Sequence, residues 1–144
     1  MTSRTPVSLL KPTLDTPFHI DFEWWQENEH DWHIHMKKCL CEDHQKYFDE
    51  HSFEQQIDRV HPKTAEIKQV DGLQHTLVSH CSQLPDFITD STQLVESVFR
   101  ALLANGNDPM TPNELEEATG KSGRTILKTI AHHKVYMGIR PVQR

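Results

Sequence analysis

Residues 111–133 constrain the fold of this 144-residue chain most tightly, because they contain two helix starts separated by a glycine. Thr111 can cap a helix that has proline at its first position, and Glu114 can close a capping box with that threonine. Gly120 allows the tight turn that ends such a helix, and Ser122 can cap the next one. The sequence therefore predicts two short helices joined by a glycine-bearing turn.

The second predicted helix, residues 123–132, has an apolar side made by Ile126, Leu127 and Ile130. Its other side is basic and rich in hydroxyl groups. Positive charge suits phosphates, and Arg, Lys and Thr near a helix N-terminus suit the base edges of a major groove. The candidate nucleic-acid-binding residues are Lys121, Ser122, Arg124, Thr125, Lys128 and Thr129.

This arrangement resembles the helix-turn-helix of many bacterial transcription factors. The resemblance covers residues 111–133, and it extends to 92–142 when a preceding helix over 92–104 and a following strand over 135–139 are included. Residues 138–141 would then form a truncated, winged-helix-like wing with few basic residues. The resemblance implies a non-catalytic DNA- or RNA-binding protein, most simply a transcriptional regulator. The alternative is a protein-interaction adaptor that uses the same module for docking.

Charge is distributed unevenly along the chain. The whole sequence has 15 Lys and Arg against 21 Asp and Glu, a net charge of −6. Residues 1–90 hold 8 basic and 16 acidic residues, whereas residues 91–144 hold 7 and 5. An acidic body repels a nucleic-acid duplex, so only the basic C-terminal face is expected to approach one. The acidic half could instead dock a basic protein partner.

The fold class predicted from these patterns is α+β, with an acidic, Trp- and His-rich part over residues 1–90 and a mainly helical module over 91–144. Period-two alternation predicts that Phe18, Ile20, Phe22 and Trp24 form the buried side of a strand. A β-hairpin is predicted over residues 57–70, with its turn at 61–64.

Two further helices are predicted in the N-terminal part. The first would start at an Asn28 cap and carry Trp32, Met36 and Leu40 on its apolar side; a strand is the weaker alternative there. The second would cover residues 72–82, with Leu73, Leu77 and Leu84 on its apolar side. Residues 41–56 are polar and give no clear assignment.

Cysteine and histidine spacing suggests a structural zinc site. Cys41 and His44 have the C-x₂-H spacing of a chelating knuckle, and His80 with Cys81 can supply a second pair. The preferred ligand set is thus Cys41, His44, His80 and Cys81, although adjacent residues seldom bind one ion. A competing set replaces His80 with Cys39, and His75 is another candidate for the fourth ligand. The simpler alternative is that Cys39 and Cys81 are buried and His80 is a hydrogen-bonded core residue.

Several classes of protein are not expected from this sequence. No apolar run reaches the length of a membrane span, and residues 1–11 lack the apolar segment of a signal peptide, so a cytoplasmic protein is expected. In that compartment the three cysteines would be reduced. The sequence has no glycine-rich phosphate loop, G-x-S-x-G or H-E-x-x-H motif, so catalysis is not expected. A small metalloenzyme is the third hypothesis.

Overall fold

The computed structural model describes residues 11–28 and 31–142, which form helices and two small antiparallel sheets. The predicted α+β class is thereby confirmed. The elements in chain order are β1 (Phe18–Ile20), α1 (Phe22–Glu27), α2 (Trp32–Lys38), α3 (Glu42–Glu50), β2 (Gln56–Val60), β3 (Ile67–Asp71), α4 (Gly72–Ser79), a 3-10 turn (Cys81–Gln83), α5 (Leu94–Ala104), α6 (Pro112–Thr119), α7 (Gly123–Ile130) and β4 (Ile139–Pro141).

Helices α6 and α7 form where their capping residues predict them. The Thr111 side chain accepts a hydrogen bond from the Glu114 backbone N–H, and the Glu114 carboxylate accepts one from the Thr111 N–H, which completes the capping box. Gly120 ends α6 in the left-handed conformation, with φ of 75°. The Ser122 side chain then caps α7. Both helices pack on α5 and on each other.

Strand β1 brings the N-terminal part of the chain into contact with the C-terminal helices. Its register against β4 pairs Phe18 with Pro141 and Ile20 with Ile139. On its other side, Phe18 exchanges two backbone hydrogen bonds with Met110, at 2.8 and 2.9 Å. The Asn107 side chain also binds both backbone polar groups of Ile20, at 2.8 and 2.9 Å. This strand therefore lies between two segments of the C-terminal part.

The strand predicted over residues 135–139 is displaced toward the C-terminus and becomes β4. Met137 and Gly138 have φ of 54° and 75°, which interrupts an extended backbone. The Met137 carbonyl accepts a hydrogen bond from the Trp25 indole N–H at 3.0 Å. A Cβ atom on Gly138 would lie 2.8 Å from the Asp21 carbonyl oxygen, so this close approach requires glycine.

The alternation of buried and exposed side chains predicted from Phe18 to Trp24 holds only for the first half of that segment. Phe18 and Ile20 are buried, but the backbone turns into helix α1 immediately afterwards. Asp21 causes this change, because its side chain accepts a hydrogen bond from the Glu23 N–H and caps the helix. Helical geometry then buries Trp25, and leaves Trp24 only half-buried.

The next two helices also differ from the prediction. Asp31, not Asn28, caps α2, while Asn28 ends α1 and donates its amide hydrogen to the Trp24 carbonyl oxygen. Met36 and Leu40 are buried as predicted, although α2 stops at Lys38, before Leu40. Helix α3 had no sequence assignment, and none of its residues is fully buried, although Phe48 packs partly buried against the core.

The predicted hairpin is confirmed as β2 and β3, with Ile57 opposite Val70 and Arg59 opposite Lys68. The helix predicted over residues 72–82 is shorter: α4 ends at Ser79 and a 3-10 turn follows. The backbone of His80, with φ of −129° and ψ of −64°, separates the two. Leu73 and Leu77 are buried against the core as predicted.

Buried side chains from both predicted parts of the chain form one hydrophobic cluster. Met36 and Leu73 belong to it together with Phe99, Ile126 and Ile139. Residues on both sides of the boundary proposed between 1–90 and 91–144 therefore pack into one shared hydrophobic core. Among the residues described by the structure, no helix combines the length and apolar character needed to cross a membrane.

Candidate metal centre and nucleic-acid interface

Cys41 and His44 approach each other at the start of α3. Cys41 is the N-cap residue of this helix, but its side chain makes no capping hydrogen bond. Its sulfur instead lies 3.1 Å from His44 Nδ1, three residues further along the chain. Residues three apart at a helix start share a face, so the local sequence alone suffices to form this pair.

Cys81 reaches the same point from the end of α4. Its sulfur lies 3.5 Å from Cys41 Sγ and 3.6 Å from His44 Nδ1. In a tetrahedral zinc site, metal–ligand bonds of about 2.0–2.3 Å place neighbouring ligand atoms roughly 3.3–3.8 Å apart. The two distances to Cys81 fall at this spacing, and the distance between Cys41 and His44 is slightly shorter.

His80 joins Cys41 and His44 in a group of three potential ligands, which does not include Cys81. The ligand atoms of Cys41, His44 and His80 all lie within 4.8 Å of one another, and the His44 and His80 ring centroids are 4.6 Å apart. Because the backbone leaves the helical conformation at His80, the neighbours His80 and Cys81 both lie beside the Cys41–His44 pair. These Cys and His groups are close enough to hold a metal ion.

The other two ligand candidates lie elsewhere. The Cys39 sulfur is buried and lies 3.5 Å from both the His35 carbonyl oxygen and Glu96 Oε2. The competing ligand set that contains Cys39 is therefore not the one brought together here. His75 does not join the cluster, and its Nδ1 is buried without a hydrogen-bond partner in the described part of the chain.

Burial controls the protonation of Cys81. It raises the pKa of this thiol to about 11, while hydrogen bonds with Cys41 act in both directions. A metal ion binds the thiolate, so its binding would have to displace the Cys81 proton near neutral pH. Metal affinity at this cluster should therefore depend on pH.

A second group of potential ligands, His35, Cys39 and Glu96, also lies within ligand distance. Here the Glu96 carboxylate is already bound, by His35 Nε2 at 3.0 Å and by Arg100 Nε at 2.8 Å. The Arg100 guanidinium would repel a cation at this point, so the group is an ion-pair network. Sequence analysis missed it, although the i,i+4 spacing of Glu96 and Arg100 on α5 is a signal for such a pair.

The residues predicted to bind nucleic acid lie along the outer side of α7. Arg124, Thr125 and Lys128 are exposed, whereas Ile126 and Ile130 on the opposite side are buried. Within residues 11–28 and 31–142, neither Arg124 nor Lys128 forms an ion pair.

The remaining three predicted residues have structural contacts. The Ser122 hydroxyl caps α7, and the Thr129 hydroxyl donates to the Thr125 carbonyl oxygen at 2.9 Å. Lys121 is half-buried, and its Nζ donates to the Asp90 carbonyl oxygen at 3.4 Å. These residues therefore help to hold α7 in place as well as bordering its exposed side.

Sequence analysis did not anticipate a carboxylate at the N-terminus of α7. Glu116 Oε1 accepts a hydrogen bond from the Gly123 N–H at 2.6 Å. Free N–H groups at a helix N-terminus attract anions, and this carboxylate occupies one of them. A phosphate would therefore contact the Arg124 and Lys128 side chains more readily than this end of the helix.

No protein-family model, curated protein or solved structure matches this chain. The function is therefore argued from the chemistry of its own residues.

Proposed function

We propose that this chain is a non-catalytic DNA-binding protein, a transcriptional regulator of winged-helix-like type in the cytoplasm, with a structural zinc ion. In this proposal α6 and α7 are the two helices of a helix-turn-helix. Helix α7 enters the major groove, and Arg124, Thr125 and Lys128 contact phosphates and base edges.

The observation that carries the proposal is the contrast between the two sides of α7. Its inner side is buried in the core, so the helix is held rigidly. Its outer side carries two exposed cations four residues apart, Arg124 and Lys128, without a carboxylate partner in the described part of the chain. Unpaired positive charge on a rigid helix is what phosphate contact requires.

Zinc is the metal we infer at the Cys41, His44, His80 and Cys81 cluster. Two thiols and two imidazoles form one of the common donor sets of structural zinc sites, and soft sulfur ligands disfavour magnesium and calcium. With four protein ligands such a site has no open position for substrate, which supports a role in folding. The ion would join the start of α3 to the end of α4.

The test compares two double variants in binding to duplex DNA, measured by fluorescence anisotropy across a series of salt concentrations. Arg124→Ala/Lys128→Ala removes the two exposed cations of α7. The matched control, Lys46→Ala/Lys63→Ala, removes two exposed cations from α3 and the hairpin turn and changes the net charge equally. The α7 variant should bind more weakly, with a salt slope shallower by up to about one unit per lost phosphate contact.

The control variant should bind as the unchanged protein does. Both variants should stay folded, because exposed substitutions usually change stability by less than about 0.5 kcal/mol. Equal affinity and slope for the α7 variant and the unchanged protein would remove α7 from the interface.

The bond between Glu116 and the Gly123 N–H favours a second candidate function, in which the same helices dock a protein. A carboxylate at the N-terminus of α7 repels a phosphate but does not hinder a protein partner. If the unchanged protein binds neither DNA nor RNA at low salt, this adaptor function replaces the first.

A further inference from the structure

A cleft lies between the β2–β3 hairpin, helix α4 and the end of α5, away from both sites described above. Its interior volume is about 140 Å³. Apolar side chains form its floor, namely Phe22, Val70, Leu77 and Leu103, of which all but Phe22 are buried. Neither the proposed metal ligands nor the residues of α7 line this cleft. It is therefore a third site, separate from the metal centre and from the nucleic-acid interface.

Two cations from the hairpin, Arg59 and Lys68, line this cleft. They are directly opposite each other in the register of β2 and β3. They share the inner face of the hairpin with Ile57 and Val70, since each lies two residues from one of these. Like charges directly opposite in a sheet are destabilising, so this pair has a cost that the fold does not require.

The carboxylates that line the cleft leave both cations unpaired. The Asp108 carboxylate forms a hydrogen bond with the His61 ring, and Glu66 is exposed. In the described ranges, no carboxylate oxygen lies within ion-pair distance of Arg59 or Lys68. Two neighbouring cations beside an apolar floor are suited to an anion that carries an apolar group.

The volume limits the size of that apolar group. A protein cavity of about 150 Å³ lined by apolar side chains holds one benzene molecule. We propose that this cleft binds a small organic carboxylate, with an apolar group the size of one ring on its floor and the carboxylate between Arg59 and Lys68. This inference goes beyond the proposed DNA-binding function and does not depend on it.

The experiment measures binding of three ring compounds to the full chain by calorimetry and by the shift in melting temperature. Benzoate carries the ring and the negative charge, benzyl alcohol carries the ring without charge, and benzylammonium carries the opposite charge. Benzoate should bind and raise the melting temperature in a concentration-dependent way. Benzyl alcohol should bind at least about tenfold more weakly, and benzylammonium should not bind, because each lacks the hydrogen bonds and attraction of a carboxylate to the two cations.

Two variants and a control test the role of the cations. Arg59→Gln and Lys68→Gln should each weaken benzoate binding about tenfold, whereas Lys63→Gln, on the same hairpin but outside the cleft, should not. Lys68→Gln should also leave the melting temperature of the ligand-free protein unchanged or higher, because it removes the like-charge pair. A purely structural role for Lys68 predicts a lower melting temperature instead.

Three results would overturn the proposal: no benzoate binding, equal binding of benzoate and benzyl alcohol, or the same affinity in Lys68→Gln as in the control. If Arg59→Gln fails to fold, Lys68→Gln still decides the question, because Lys68 is exposed.

Discussion

Cys39 and Cys41 are separated by one residue, yet their sulfur atoms have different surroundings. Cys39 ends α2 and is directed toward α5, where burial raises the pKa of its thiol to about 12. Cys41 starts α3, and its sulfur lies beside His44 and Cys81. The two sulfur atoms point in different directions because a turn separates α2 from α3. Substitution of Cys39 and substitution of Cys41 should therefore have different effects.

Cys41→Ser should abolish zinc binding and lower the melting temperature, because it removes a thiolate from the proposed ligand set. Cys39→Ser, the matched control, should keep its zinc, although replacing a buried thiol with a hydroxyl can also lower stability. Elemental analysis of protein purified without chelator measures the metal, and about one zinc per chain is expected for the unchanged protein. A metal-free chain, or metal loss in both variants, would contradict the assignment.

Strand β1 has only three residues, yet it contacts several distant segments of the chain. Its residues pair with β4 on one side and with Met110 on the other, and Asn107 binds its last residue. The residues predicted to form a truncated wing, 138–141, include this β4 strand.

The strand and the helix after it should differ in their contribution to stability. Phe18, on β1, is fully buried, so Phe18→Ala should lower the free energy of unfolding by about 3–5 kcal/mol. Phe22, at the start of α1, is half-buried, and Phe22→Ala should cost about half as much. Urea denaturation of both variants measures the difference. Equal losses would mean that residues 18–24 form the single alternating strand that the sequence suggested.

At the scale of the whole molecule, the contact between Glu96 and His35 joins α5 to α2 and so links the two parts of the chain. Burial alone would raise the pKa of Glu96, but hydrogen bonds and charge from His35 and Arg100 lower it from 4.5 to about 2. Between these two values the unfolded chain binds more protons at Glu96 than the folded chain does. The stability that this carboxylate contributes is therefore present above pH 4.5 and is lost as the pH falls toward 2.

Glu96→Gln should accordingly be less stable than the unchanged protein near pH 7, by about 1–3 kcal/mol. The difference should shrink as the pH falls from about 5 to 2, because the unchanged protein loses the contribution of its ionised carboxylate. Urea denaturation of both proteins over this pH range measures the difference, and comparing them cancels any shared loss of metal. A difference that does not change with pH would mean that Glu96 acts only through packing.

Features that depend only on neighbouring residues could be predicted from the amino-acid sequence. The caps at Thr111 and Ser122, the turn at Gly120 and the β2–β3 hairpin all follow from local hydrogen bonding and backbone preference. The pairing of Cys41 with His44 belongs to the same class, since a three-residue spacing at a helix start brings two side chains together. The apolar side of α7 is local too, and Ile126 and Ile130 are buried as expected.

Contacts between distant segments, in contrast, are established by the packing of the folded chain. A strand of three residues, such as β1, carries too little sequence information to predict which segment it pairs with. Nothing near Phe18 in sequence indicates that this residue pairs with Met110 and Pro141. Alternation also could not show that Asp21 would start a helix, because an aspartate fits both the polar position of an alternating strand and the cap of a helix. Packing of distant segments also places Cys81, and not Cys39, beside Cys41. Both are cysteines at plausible spacings, and the packing of α4 against α2 determines which sulfur reaches the cluster.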